Sequence, residues 1–132
     1  MKKDEKHSEQ DCKRSKCPIS CILEVVGDKW TLLVVRDLLL GNHTFKDLQS
    51  SAEKIPTNIL TDRLKRLQQK DIVQRQLYQQ HPKRYQYYLT EKGRDLEPVM
   101  ESLIVWSNKY FPDTYPLEEI KKMLSEVAKL KP

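Results

Sequence analysis

The chain has 132 residues, of which 38% are hydrophobic and 33% charged, and its net charge is +5. That length fits one domain with a single core, and no apolar run approaches the roughly 18 residues of a membrane span. Residues 1–16, MKKDEKHSEQDCKRSK, are charged throughout and lack the apolar stretch of a signal peptide. A cytoplasmic protein with cysteines reduced at rest is expected, with no membrane partner.

The charge is unevenly spread. Residues 54–94 hold ten lysines and arginines against three acids, whereas residues 17–53 and 95–132 are each net negative by two. A positive field on one continuous segment suits a polyanion, most often nucleic acid. A merely solvated basic face is the competing reading.

In chain order, ISCILEVVG after Pro18 reads as a short helix ending at Gly27. DKWTLLVVRDLLLG follows, with Asp28 as N-cap and Gly41 as stop signal. Apolar residues surround most of that helix, so it is expected at the centre of the core. Thr44 caps a short helix, Phe45 to Gln49. Pro56 then suits the first turn of a longer one, PTNILTDRLKRLQQKD.

In that longer helix Leu60, Leu64 and Leu67 recur at i, i+4, i+7 and form one buried stripe. At about 100° per residue, Asn58, Asp62, Lys65 and Gln69 point the opposite way. Thr57 and Thr61 lie on one flank, Arg63 and Arg66 on the other. Amides, hydroxyls and cations are the groups that bond base edges and phosphates. Asp62 is the discordant charge, suited to orienting an arginine or to accepting from a cytosine amine.

IVQRQLYQQ and RYQYYLT read as two strands, and HPK between them is the hairpin tip because Pro82 cannot extend a ladder. His81, Lys83 and Arg84 make that tip basic. The order of helix, short helix, polar-faced helix and basic hairpin is that of a winged helix-turn-helix: mainly α with a small β-hairpin wing, an α+β fold. In that arrangement the polar-faced helix enters the major groove and the wing touches backbone or minor groove. The DNA-facing candidates are therefore Thr57, Asn58, Thr61, Arg63, Lys65, Arg66, Lys83 and Arg84.

The next helix is expected to begin at Thr90, bent near its start by Pro98. Its stripe of Leu96, Val99, Leu103, Trp106 and Tyr110, widened by Met100, Ile104 and Phe111, is broader than one small domain needs. A partner helix would cover the excess, which points to a homodimer. A last amphipathic helix, LEEIKKMLSEVAKL, presents Leu117, Ile120, Leu124 and Val127 and is expected to pack on the dimer. Three regions are thus expected: a polar arm over 1–16, the winged-helix domain with dimerisation helices over 17–111, and a C-terminal helix within 112–132.

CPI, ILEVVGDKWTLLVVRDLLLG, FKDLQ, IPTNILTDRLKRLQQKDIVQR and YYLTEKGRDLEPVMESLIVW together resemble the HxlR-type winged-helix transcription regulators, relatives of the MarR group. The resemblance runs from Cys17 to about Trp106. It implies a homodimer on a palindromic operator in double-stranded DNA, and, in several members, an oxidant- or electrophile-responsive cysteine at the position of Cys17.

Cys17 also stands at a helix start, where backbone N–H groups favour a thiolate, with Lys13, Arg14 and Lys16 nearby. Two readings are open: a redox or electrophile switch, or an inert thiol at the dimer interface. Cys21, one turn later, is a resolving partner or core, and Cys12 can reach either subunit. The spacing C-x4-C-x3-C, with His7 upstream, is neither zinc-finger spacing nor paired C-x2-C, so no metal or other cofactor is expected. Without C-x-x-C, H-E-x-x-H or a glycine-rich loop, an enzyme is not expected. The rival functions are a regulator controlled by a small ligand, whose identity no polar constellation reveals, and a protein-interaction module with structural cysteines.

Overall fold

The computed structural model describes residue 12 and residues 14–130. Most of the expected polar arm, including His7 and Lys13, lies outside the described residues. Helix α1, Pro18–Val26, begins with Cys17 as its extended N-cap and Pro18 in the first turn, where a missing N–H forfeits no helical bond. Gly27 closes it. None of α1 is buried, and Ile19 and Leu23 are exposed.

Helix α2, Thr31–Leu39, has Trp30 at its N-cap position rather than the expected Asp28, because the chain makes a turn first; Asp28 Oδ2 fastens that turn by accepting from the N–H groups of Trp30 at 3.0 Å and Thr31 at 3.2 Å. After α2 the chain reverses at Gly41, whose φ of 95° lies in the region that side chains with a Cβ avoid. Val34, Val35 and Leu38 of α2 are the centre of the core.

Thr44 caps α3, Phe45–Gln49, by accepting from the Asp47 N–H at 3.0 Å. Helix α4, Thr57–Gln69, buries Leu60, Leu64 and Leu67 in the same core as Val35 and Leu48. Each buried leucine contributes on the order of 1.5–3 kcal/mol by burial alone, enough to set the helix's rotation. Asp71, at φ 64°, ends the run and turns Ile72 into the core.

Strands β1, Val73–Gln79, and β2, Arg84–Leu89, pair antiparallel with Val73 opposite Leu89 and Leu77 opposite Tyr85. The register slips between Leu77 and Gln79, and His81, Pro82 and Lys83 form the tip. His43 fastens the hairpin. Its carbonyl accepts from the Tyr87 N–H at 2.7 Å, its Nδ1 lies 2.8 Å from the Tyr87 oxygen, and its ring stacks on Tyr88.

The helix from Thr90 is not continuous: α5, Glu91–Arg94, stops before α6, Glu97–Tyr110. Pro98 lies in the first turn of α6, where it begins a helix rather than bending one. Thr90 caps α5 by accepting from the Gly93 N–H, and its hydroxyl donates to the Asp71 carbonyl at 2.7 Å. A Cβ at Gly93 would overlap the Ile72 carbonyl, so the glycine allows α5 to seat against the hairpin base.

Helix α7, Leu117–Lys129, follows a turn tied by Asn108, whose side chain bonds Thr114, Tyr115 and Leu117. Its stripe of Leu117, Ile120, Leu124 and Val127 is half-buried against its own chain, with Val127 beside Gly41. The α6 stripe differs: Leu103, Trp106, Tyr110 and Phe111 are each about half exposed.

Candidate nucleic-acid interface

The polar face of α4 is set by the leucines beneath it. Thr57, Asn58, Thr61, Lys65 and Arg66 are all exposed. Gln49 of α3 donates to the Thr57 hydroxyl at 3.0 Å, tying the two helices across their connecting loop. The Thr61 hydroxyl donates to the Thr57 carbonyl at 3.0 Å, which leaves its lone pairs free to accept. Among the described residues Asn58 and Lys65 have no side-chain hydrogen bond or ion pair. Arg66 lies 3.6 Å from Asp62, one turn back, a weak contact between two half-exposed groups.

Arg63 does not join that surface. Its Nε donates to Asp28 Oδ2 at 2.8 Å, it also pairs with Asp62, and its side chain is only 15% exposed. The flank of α4 that carries Arg63 faces the turn before α2, a neighbour that no helical projection of α4 alone contains. Asp62 takes the orienting role. Arg63 thus braces α4 against α2 instead of reaching outward.

Burial works against ionising Asp28, but hydrogen bonds from Thr31, Arg63 and the Trp30 N–H outweigh it and hold the carboxyl well below its usual range. Glu53 is similarly held down, to about 2 from 4.5, chiefly by hydrogen bonds from Arg36 at 2.7 and 2.9 Å. Asp37 is pushed up by burial despite its pairing with Arg36. Lowered folded values mean that Asp28 and Glu53 stabilise the fold fully above their unfolded pKa. That contribution is lost as pH falls through the folded values. Asp37 acts in the opposite sense, favouring the fold at low pH. Urea midpoints should therefore fall between about pH 5 and pH 2. Arg63→Ala should lower the midpoint at pH 7 and flatten that acid dependence. An unchanged pH profile in Arg63→Ala would contradict the brace.

Lys83 and Arg84 are exposed at the hairpin, and no described hydrogen bond joins them to α4. Two further candidates escaped the sequence reading, Gln49 and Arg75. Thr61, Lys65, Gln69 and Arg75 line one shallow groove between α4 and β1. The Arg75 guanidinium lies 3.9 Å from the centre of the Tyr85 ring. Arg75 stands opposite Tyr87, so Tyr85 is its diagonal neighbour on the same face, a signal available once the register is known. At the N-terminal side Cys12 and Cys21 are joined in a disulfide, and Cys17 is free and exposed.

A three-helix core, a polar-faced helix entered through a short capped helix, and a two-stranded hairpin define a winged helix-turn-helix protein. The chain matches the family described as HxlR-like helix-turn-helix over residues 25–115, and it belongs to that family. It is 33% identical over 106 residues to the Bacillus subtilis HTH-type transcriptional regulator YdeP, covering 80% of this chain and 83% of that one. Relatives from Mycobacterium tuberculosis, 38% identical over 90 residues, are longer: the match covers 56% of their length. Among solved structures, the redox regulator HypR in its reduced form is similar at 31% identity with a TM-score of 0.66, over 75% of this chain and all of that one. The reduced transcriptional regulator YodB of B. subtilis is similar at 29% identity and a TM-score of 0.62, over 76% of this chain and all of that one. The family and its members are transcription regulators, not enzymes. No described helix is long and apolar enough to cross a membrane.

Proposed function

We propose that the protein binds a palindromic operator in double-stranded DNA as a homodimer, each copy reading one half-site with α4. The observation that carries this reading is the outward set Thr57, Asn58, Thr61, Lys65 and Arg66 on a helix whose opposite face is locked into the core. Asn58 and Thr61 supply base-reading groups, while Lys65 meets phosphate and Arg66 meets phosphate or guanine. Lys83 and Arg84 add sequence-independent affinity from the wing. The half-exposed stripe of α6, with Ile19 and Leu23 of α1, forms the dimer contact. Arg63 acts indirectly, by holding α4 at a fixed angle.

Control is assigned to Cys17, which is exposed at the start of α1, next to that dimer surface. The support is the resemblance to HypR, described as a redox regulator, and to YodB, also solved in a diamide-treated form. An adduct at Cys17 would shift the spacing of two recognition helices that must lie about 34 Å apart. Cys17→Ser should abolish any change in operator affinity caused by a quinone. An undiminished response would assign the switch to another residue.

A second reading, control by a small ligand, draws on a cavity of about 710 Å³ between α2, α6 and α7, lined by Leu33, Leu40, Met100, Ile104, Leu117 and Leu124 among others. It predicts an inducer response that survives Cys17→Ser.

The test of the interface is the salt dependence of DNA affinity by fluorescence anisotropy. Each phosphate neutralised makes log K fall with log salt by about 0.9. The double variant Lys83→Ala, Arg84→Ala should weaken binding to every sequence and reduce that slope by about two. An unaltered slope would put the hairpin off the DNA.

A further inference from the structure

We infer that Cys12 and Cys21 are the oxidation site at which this chain forms an intramolecular disulfide, and that the bond leaves Cys17 as a single free thiol. The pair differs from the pairings of Cys17 that spacing alone allows. Cys12 and Cys21 have Cα atoms 5.0 Å apart across a sequence separation of nine, inside the range that a disulfide bridges without backbone movement.

The local backbone explains the choice. Cys17 is the N-cap of α1, and its N–H donates to the Ser15 hydroxyl at 3.2 Å. Cys21 lies on the first turn of the helix, with its N–H on the Cys17 carbonyl at 3.0 Å. Its Sγ lies 3.6 Å from the Ser15 carbonyl oxygen, so it faces back toward the segment that precedes the helix. The chain around Ser15 thus turns beside the first turn of α1 and delivers Cys12 to Cys21, while Cys17 stays exposed.

The chemistry is a two-electron oxidation by a peroxide. One thiolate of the pair attacks the O–O bond, becomes a sulfenic acid and releases hydroxide or alkoxide. The other thiolate attacks the sulfenic sulfur, forms the S–S bond and releases a second hydroxide. Protons from the two thiols convert the leaving groups into water or alcohol. Two thiols are oxidised and one peroxide is reduced.

The ring of residues 12–21 encloses Cys17 and holds the first turn of α1. Oxidation therefore removes two of the three competing thiols and leaves Cys17 as the one available to electrophiles. This last consequence deepens the control proposed for Cys17. The disulfide itself stands or falls independently of DNA binding.

The test is made on the full-length chain, reduced and then treated with hydrogen peroxide. Free thiols are blocked with a maleimide, and the tryptic peptides are read by mass spectrometry. Trypsin cuts after Lys13 and Lys16, so Cys12 falls on peptide 7–13, whereas Cys17 and Cys21 share peptide 17–29. The expected product is those two peptides joined, with one maleimide that fragmentation places on Cys17. Cys17→Ser should form the same bond, and Cys12→Ser and Cys21→Ser should each lose it. Maleimide uptake should fall from three per reduced chain to one. Amide exchange at Cys21 should slow on oxidation, reversed by dithiothreitol. A bond that includes Cys17, within one chain or between two, would overturn the assignment, as would three maleimides after peroxide treatment. A quinone response of DNA binding that persists in Cys17→Ser, with the Cys12–Cys21 bond formed, would overturn only the role of Cys17.

Discussion

Replacing Asn58 and Thr61 together by alanine should lower operator affinity by on the order of 2–6 kcal/mol, taking about 1–3 kcal/mol for each base-reading side chain. The loss should be confined to the specific site: affinity for random DNA, carried by cations, should change little. Lys65→Ala should instead weaken both, because a phosphate contact carries no sequence information. The distinction follows from the geometry. Among the described residues Asn58 has an unengaged amide and Thr61 retains acceptor capacity, while Lys65 is a point charge that lines, with Arg75, the groove between α4 and the hairpin. Competition titrations with operator and random duplexes separate the two effects. Equal losses on both duplexes from the Asn58, Thr61 pair would remove those residues from the base-reading role.

The second large effect is expected at the dimer surface. Trp106→Glu combined with Leu103→Glu should convert a dimer into a monomer at micromolar concentration. The two side chains are 60% and 49% exposed in the single chain, so their replacement sacrifices little of its own core. Across a packed apolar contact, four uncompensated carboxylates per dimer would cost several kcal/mol. The monomer should stay folded by circular dichroism but lose operator affinity steeply, because one half-site supplies only half of the contacts. Light scattering reads the first effect and anisotropy the second. A double variant that stays dimeric would place the interface elsewhere.

The sequence was most informative where one helix face alone decides the outcome. The leucine stripe of α4 fixes which side chains of Thr57–Gln69 stand in solvent, and it is readable from spacing. Thr44 and Thr90 announce their helix starts in the same way, since capping is a contact within a few residues, whereas Asp28 stands ahead of the N-cap residue of α2, Trp30. What escaped depends on partners distant in the chain. Arg63 and Asp28 are 35 residues apart, and Asp28 serves α2 and α4 at once. His43 and Tyr87 are 44 apart and meet only because the hairpin folds back on the entry to α3. Pro98 misled for a third reason: a proline inside a long apolar pattern bends a helix or begins one, and the distinction lies in the break between Arg94 and Glu97. The three cysteines were visible, but their pairing was not. Four-residue spacing made Cys17 and Cys21 look like partners, whereas the turn around Ser15 brings Cys12 to Cys21 instead.

The central claim, a dimer that reads an inverted repeat through α4, is tested most directly by sequencing the genomic DNA fragments retained by the purified, reduced protein. The account predicts one enriched motif with two symmetry-related halves centred about one helical turn apart. It also predicts that the Asn58→Ala, Thr61→Ala protein no longer enriches that motif. Retention of fragments without any common motif, or a motif with a single half-site, would contradict it.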